Sequence, residues 1–102
     1  MEALETRKHP LPAEHVYSGL LKELLHAGFL ITSCDRKSGF IAVVQPATFL
    51  RVQRVASILV EDSTDSTSTI RVAGGVHTPD GLRQIDVSAF IREIFAIADA
   101  LR

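Results

Sequence analysis

The sequence has little of several residue types that would define a protein class. It contains no tryptophan, one tyrosine, one methionine and one cysteine among its 102 residues. The single cysteine, Cys34, excludes an internal disulfide, and it is compatible with a reducing compartment or with a buried thiol in an oxidising one. Because its apolar runs are only a few residues long, no segment is expected to span or insert into a bilayer.

Net charge is also nearly absent. Eleven basic residues stand against twelve acidic ones, which leaves a formal charge of -1 at pH 7. A chain this close to neutrality has no global attraction for nucleic acid or anionic lipid, so neither is predicted as a partner. Its 46% hydrophobic and 23% charged fractions are typical of a globular protein. We expect one domain over residues 1–102, in which residues 1–11 form an edge strand or a flexible segment.

The first regular pattern is that of an amphipathic helix. Between Val16 and Ala27 the apolar residues recur with the helical period of 3.6. Pro12 suits the first turn of this helix, and Gly28 suits the position just past its end. Gly19 lies on the polar side of the predicted helix, where packing does not demand a glycine. We interpret it as tolerated, at a cost of about 1 kcal/mol relative to alanine.

Two predicted β-hairpins follow. The segments Phe29–Cys34 and Phe40–Val44 are rich in β-branched and aromatic residues, and the turn between them ends in Gly39. A second pair, 52–61 and 69–73, is joined by a longer polar loop. The pattern therefore predicts two successive antiparallel pairs of strands.

The remainder of the chain predicts a second helix. We interpret Gly74 and Gly75, and then the stretch 78–81, as breaking the sheet. Asp86 is placed to cap a final helix that runs from Val87 to Leu101. The complete order is an optional strand, a helix, two hairpins and a helix. It predicts an α+β fold, a two-layer sandwich in which two helices cover an antiparallel sheet of four or five strands.

No residue pattern identifies a catalytic, cofactor or metal site. His15 and His26 share a face of the first helix, but they are separated by about 16 Å along its axis, which is too far for one metal ion. The acidic loop 61–68 lacks the glycine and the terminal glutamate of an EF-hand. We therefore predict that the chain is not an enzyme and has neither cofactor nor metal.

Four basic residues could form a binding site for nucleic acid or phosphate. We interpret them as a solvated edge, and contact with nucleic acid or phosphate would require more interleaved aromatic residues than Phe49 alone. The basic residues are Arg36, Lys37, Arg51 and Arg54.

The predicted strands are more apolar than a sheet with one wet face requires. Two interpretations stay open: other segments of the chain cover the additional side chains, or these side chains bind a partner or a second copy. Our candidate partner-binding residues are the additional apolar residues, which we expect on the sheet face that the helices leave open. They are Leu30, Ile41, Val43, Val55 and Leu59.

The segment from Leu24 to Ile41 resembles modules of bacterial envelope lipoproteins. It is similar to the helix-grip domains of the lipoprotein subunit of the outer-membrane β-barrel assembly machinery. The resemblance implies a helix-grip-like fold and a non-catalytic accessory domain of the periplasm or cell envelope. The sequence departs from that pattern because it has no lipid-attachment cysteine near its start. The matching residues are Leu25, Gly28, Phe29, Ile31, Asp35, Arg36, Gly39 and Ile41.

Two functions follow from these observations. The first is a protein-interaction module of the cell envelope, which binds a protein partner or a second copy through the open sheet face or a sheet edge. The alternative is a carrier of a small hydrophobic ligand, with a pocket between the helices and the sheet. For the compartment, the alternative to the cell envelope is the cytoplasm.

Overall fold

A computed structural model describes residues 2–45, 53–64, 66–77 and 88–101. The predictions for residues 78–81 and for Asp86 lie outside the described residues. The order of elements confirms the predicted fold class. The elements are β1 (Glu2–His9), α1 (Ala13–His26), β2 (Leu30–Asp35), β3 (Phe40–Gln45), β4 (Gln53–Asp62), β5 (Ser68–His77) and α2 (Ser88–Asp99).

The strands form one antiparallel sheet in the order β1, β5, β4, β3, β2. The two hairpins therefore lie side by side, and β1 is the predicted edge strand. Ile58 of β4 lies opposite Ile41 of β3 and Val72 of β5. Because residues directly opposite one another share a face of a sheet, these large side chains collect on one side, which we call the inner face.

Both helices pack on the inner face, and the core lies between them and the sheet. A fully buried Val, Leu, Ile or Phe side chain contributes about 1.5–3 kcal/mol relative to an exposed one, so this layer supplies most of the folding free energy. None of the described helices is long and apolar enough to cross a membrane. The hydrophobic side chains with at most 1% exposure are Val16, Leu20, Leu24, Ile41, Val43, Ile58, Ile70, Val72, Phe90, Ile94, Phe95 and Ala98.

Gly19 of α1 lies close to the side chain of Leu101. A Cβ atom added to Gly19 would lie 2.7 Å from Cδ2 of Leu101, just past the end of α2. Because Cδ2 is the end of a flexible side chain that can move aside, the interpretation of Gly19 as tolerated stays a prediction. The hydrophobic pattern missed this contact since a glycine contributes nothing to a helical stripe.

Gly74 and Gly75 do not break the sheet, in contrast to the prediction. Strand β5 continues through Gly74 and Gly75 as far as His77. A Cβ atom at Gly74 would lie 3.2 Å from Cγ1 of Ile91 on α2, closer than most side-chain contacts. Glycine at this position lets α2 lie close to the strand.

The edge strand β1 is held to α2 by two polar residues. The ring of His9 is 4% exposed, and its Nε2 donates a hydrogen bond to the carbonyl oxygen of Ala98 at 2.7 Å. The guanidinium of Arg7 lies 4.4 Å from the centroid of the Phe95 ring, at a distance typical of cation–π contacts. An otherwise charged edge strand is thereby attached to the hydrophobic layer.

Gly28 and Gly39 allow a matched test of the fold, because both have positive φ, 89° and 76°. Alanine at either position should cost about 1–2 kcal/mol for left-handed backbone. A Cβ atom at Gly28 would have no neighbour within 4 Å, whereas at Gly39 it would overlap the carbonyl oxygen of Val60. We expect Gly39→Ala to lower the free energy of unfolding by at least about 2 kcal/mol more than Gly28→Ala, as measured by urea denaturation. Equal losses in the two variants would contradict the overlap.

Candidate functional site

A cleft of about 530 Å³ opens at the end of the molecule where α1 begins. It lies between the first turns of α1, the β2–β3 turn and the end of β4. Its volume is within the range of about 300–1,000 Å³ that is usual for small-molecule sites. We call it the Tyr17 cleft, and its lining residues are Ala13, Glu14, Tyr17, Arg36, Lys37, Ser38, Gly39, Val60, Glu61 and Asp62.

The β2–β3 turn forms one wall of the cleft, and Asp35 fixes its shape. The carboxylate of Asp35 accepts hydrogen bonds from the Lys37 backbone N–H and the Ser38 hydroxyl, both at 3.1 Å. Such bonds from an aspartate to its own turn are a common way to stabilise one. Gly39 then accepts a hydrogen bond from the Val60 N–H at 2.9 Å, which ties the turn to β4.

The start of α1 forms the opposite wall. Pro12 precedes the helix and provides no side-chain cap. Oδ1 of Asp62, at the end of β4, instead accepts a hydrogen bond from the Ala13 N–H at 3.1 Å. The Asp62 carboxylate thus satisfies an N–H group that helices leave unpaired at their beginning, and it places α1 against the second hairpin.

Tyr17 lies at the base of the cleft. Its side chain is 3% exposed, and its hydroxyl donates a hydrogen bond to the Phe40 carbonyl oxygen at a long 3.5 Å. The guanidinium of Arg36 lies 5.3 Å from the centroid of the Tyr17 ring. Nη1 of Arg36 also donates to Oγ of Ser18 at 3.0 Å and lies 3.8 Å from a carboxylate oxygen of Glu14. Arg36 therefore joins the turn to the helix above the phenol ring.

The environment of Tyr17 alters its acidity. Burial raises the pKa of the Tyr17 hydroxyl, and the nearby Cys34 thiol raises it further through a hydrogen bond and its charge. Arg36 lowers the pKa and Asp35 raises it, and the net shift is upward. The phenol is therefore protonated at neutral pH and can donate a hydrogen bond.

Cys34 reaches Tyr17 because β2 contains a bulge. Ile31 lies opposite Val43, but the register shifts before Ser33, so that Cys34 lies opposite the buried Ile41. Without the extra residue, strict alternation would place Cys34 on the other face from Ile31. The bulge thus turns an exposed thiol toward the inner face.

The charges of the cleft are unevenly matched. The carboxylates of Glu14 and Asp62 have the partners described above, and Glu61 lies 3.7 Å from Arg71. The ammonium of Lys37 forms no ion pair within the part of the chain that the structure describes. Lys37 is therefore the cation of this cleft that is available to an anionic ligand.

The structure separates the five candidate partner-binding residues. Leu30, Val55 and Leu59 lie on the face of the sheet that the helices leave uncovered, which we call the outer face, and Leu30 is 55% exposed. Ile41 and Val43 are 0% and 1% exposed and belong to the core. Their assignment to the open face is corrected, because the register turns them inward. A partner role for the other three stays a prediction.

The predicted basic edge is also divided. Arg36 and Lys37 lie at the Tyr17 cleft, whereas Arg54 lies at the other end of the sheet. The Arg54 side chain is only 17% exposed, with its guanidinium 4.8 Å from the Phe90 ring centroid. Arg51 and Phe49 lie outside the described residues. The described members therefore do not form one edge, since Arg36 and Lys37 are exposed at the cleft and Arg54 packs against Phe90.

Comparison with known proteins identifies the fold. No protein-family model matches the sequence, and no curated protein matches it significantly. Among solved structures, the di-domain ARO/CYC protein BexL from the BE-7585A biosynthetic pathway superposes with a TM-score of 0.71 at 17% identity, over 97% of this chain. This chain covers only 45% of the BexL chain. Ara h 8.0201 gives a TM-score of 0.70 at 11% identity, over 97% of this chain and 95% of its own. The chain has the helix-grip fold.

The same comparison corrects two predictions. Norcoclaurine synthase from Thalictrum flavum shares the fold, with a TM-score of 0.63 at 10% identity over 96% of this chain and 84% of its own. The prediction that this chain is not an enzyme is contradicted, because chains with the same fold include enzymes and the lack of a sequence motif does not separate them. The helix-grip part of the resemblance is confirmed, while the link to the outer-membrane assembly lipoprotein receives no support. A cell-envelope location stays a prediction.

The acidity of Tyr17 can be measured directly, because it is the only tyrosine in the chain. We expect the phenolate absorbance of the native protein to appear at higher pH than that of the urea-denatured protein. Cys34→Ala should lower the native pKa and Arg36→Gln should raise it, since Cys34 raises and Arg36 lowers the Tyr17 pKa. A pKa raised by folding stabilises the native state fully below the unfolded pKa of about 10, and this stability is lost as pH rises through the folded pKa. Identical native and denatured titrations would contradict the burial of the phenol.

Proposed function

We propose that this protein binds a small organic acid in the Tyr17 cleft. The observation that carries the proposal is the Lys37 ammonium, which lines a cleft of ligand size without an ion-pair partner in the described part of the chain. An ionised donor such as Lys37 binds a carboxylate more strongly than a neutral group of the same shape. The acid group of the ligand would lie at Lys37, within the same cleft as the protonated Tyr17 hydroxyl.

The rest of the cleft suits an apolar body attached to that acid. Ala13, Val60 and the ring of Tyr17 contribute apolar surface, and the turn that carries Ser38 contributes a hydroxyl. The proposal modifies the predicted carrier of a hydrophobic ligand. Buried core side chains lie between the helices and the inner face, and we place the ligand instead in the cleft at the polar end of the molecule.

The fold supports a role in binding small molecules. A structure of norcoclaurine synthase from Thalictrum flavum contains dopamine and hydroxybenzaldehyde. At 10% identity that complex does not transfer a ligand to this chain, but it demonstrates that the fold can hold molecules of this size. Because carriers and enzymes both begin by holding a ligand, the proposal applies to either.

The test uses Tyr17 as its own reporter, since the chain has no tryptophan. We expect benzoate and hexanoate to change the tyrosine fluorescence in a saturable manner, whereas benzamide and hexanamide should do so at least about tenfold more weakly, because they lack the charge that Lys37 recognises. Native mass spectrometry of freshly purified protein would detect any acid that it retains from the cell.

Matched variants separate the cleft from the rest of the surface. Lys37→Ala should reduce the affinity for the acids to the level of the amides. Lys8→Ala is the control, because Lys8 is also an exposed lysine but does not line the cleft. Equal binding of acids and amides, or loss of binding in Lys8→Ala but not in Lys37→Ala, would overturn the proposal.

A further inference from the structure

The side chains on the outer face of the sheet form ridges and a groove. Two rows of side chains cross the strands there, about 6.8 Å apart because they are separated by two residues. One row is bulky, with Leu30 opposite Val44 and Val44 opposite Val55. The next row is small: Ala42, Ser57 and Ala73 lie side by side. We call these two rows, together with Thr32, the outer patch.

The small row forms a shallow groove beside the bulky ridge. A depression of about 190 Å³ lies over it, and its lining includes every member of the outer patch except Leu30. On its far side, Phe40 opposite Leu59 forms a second ridge. A groove that lies one row from a ridge is self-complementary, because the ridge of a second copy can enter it while its own ridge enters the groove of that copy.

Charge favours the same pairing. The outer patch contains no charged residue, so two copies can meet there without repulsion or a desolvated ion. Charged residues begin at its border, where Arg71 lies beside the second ridge and pairs with Glu61. An uncharged centre with a charged rim is the arrangement found in protein interfaces.

The area of the outer face is also sufficient. Its strands have six to ten residues. With a rise of about 3.4 Å per residue and a spacing of about 4.8 Å, five such strands cover a projected area of roughly 650 Å², which includes the charged border around the outer patch. The accessible area of a corrugated face exceeds its projection, so it approaches the roughly 800 Å² per partner of a standard interface.

We propose that two copies of this chain associate face to face through the outer patch. The interface is isologous: the Val44 and Val55 ridge of each copy lies in the Ala42, Ser57 and Ala73 groove of the other. Leu30 and Leu4, which are 55% and 70% exposed at the two edges of the sheet, become partly buried at the borders of this contact. The association does not depend on the proposed ligand, whose cleft lies at the end of the molecule where α1 begins and shares no residue with the outer patch.

Sedimentation velocity over a concentration series tests the proposal. We expect the wild-type protein to change from monomer to dimer as its concentration rises. Ser57→Glu should weaken the dimer at least about tenfold, because it buries an unpaired carboxylate in the groove, while the monomer tolerates it at an exposed position. Ser66→Glu is the matched control, since Ser66 is an exposed serine in the β4–β5 loop, and it should dimerise like the wild type.

A second measurement requires no variant and decides the matter if Ser57→Glu fails to fold. In a mixture of isotope-labelled and unlabelled wild-type protein, filtered NOEs should connect the methyl groups of Val44 or Val55 with those of Ala42 or Ala73. A wild-type monomer at every concentration, or a dimer whose filtered NOEs lie elsewhere, would overturn the proposal. Loss of acid binding without loss of dimerisation would refute only the proposed ligand.

Discussion

The burial of one sheet face beneath both helices is the constraint on which the rest of this structure depends. Two helices of 14 and 12 residues have to share the inner face of five strands. Glycines lie at two of the contacts of this layer, Gly19 against Leu101 and Gly74 against Ile91. At Gly74 an added Cβ atom would require Ile91 to move by a few tenths of an ångström, and a packed interior does not accommodate additional atoms without strain.

The Tyr17 cleft lies where the hydrophobic layer between α1 and the sheet ends. The apolar stripe of α1 begins at Val16 and Tyr17, while the polar first turn extends beyond the core. Asp62 accepts a hydrogen bond from the Ala13 N–H of this turn, and Arg36 of the other hairpin lies 3.8 Å from the Glu14 carboxylate. A cavity with polar walls and a phenol at its base results where the hydrophobic layer stops. It requires no departure from the packing of the core.

The sequence was sufficient to predict the fold because its signals are local. The helical period, the glycine after α1 and the turn before Gly39 each concern a few neighbouring residues. The errors concern contacts between distant segments. Gly74 lies against Ile91 of α2, Gly19 lies against Leu101 beyond the end of α2, and the inward direction of Ile41 is set by its pairing with Ile58. The candidate site could not be predicted for the same reason. Cys34 lies beside Tyr17 because β2 contains a bulge, and no residue type in that strand indicates a bulge.

Strand β4 connects the two proposed surfaces and also keeps them separate. Its inward Val60 lines the Tyr17 cleft, while the adjacent Leu59 faces outward beside the outer patch. Phe40 has the same double position, because its carbonyl accepts the Tyr17 hydrogen bond and its side chain lies opposite Leu59. A ligand in the cleft could influence the outer face only by moving these strands. Strands β3 and β4 are each paired on both sides, so such a movement would break hydrogen bonds along the sheet. We therefore expect ligand binding and self-association to be energetically independent unless the ligand displaces the Phe40 carbonyl from Tyr17 or the Glu61 carboxylate from Arg71.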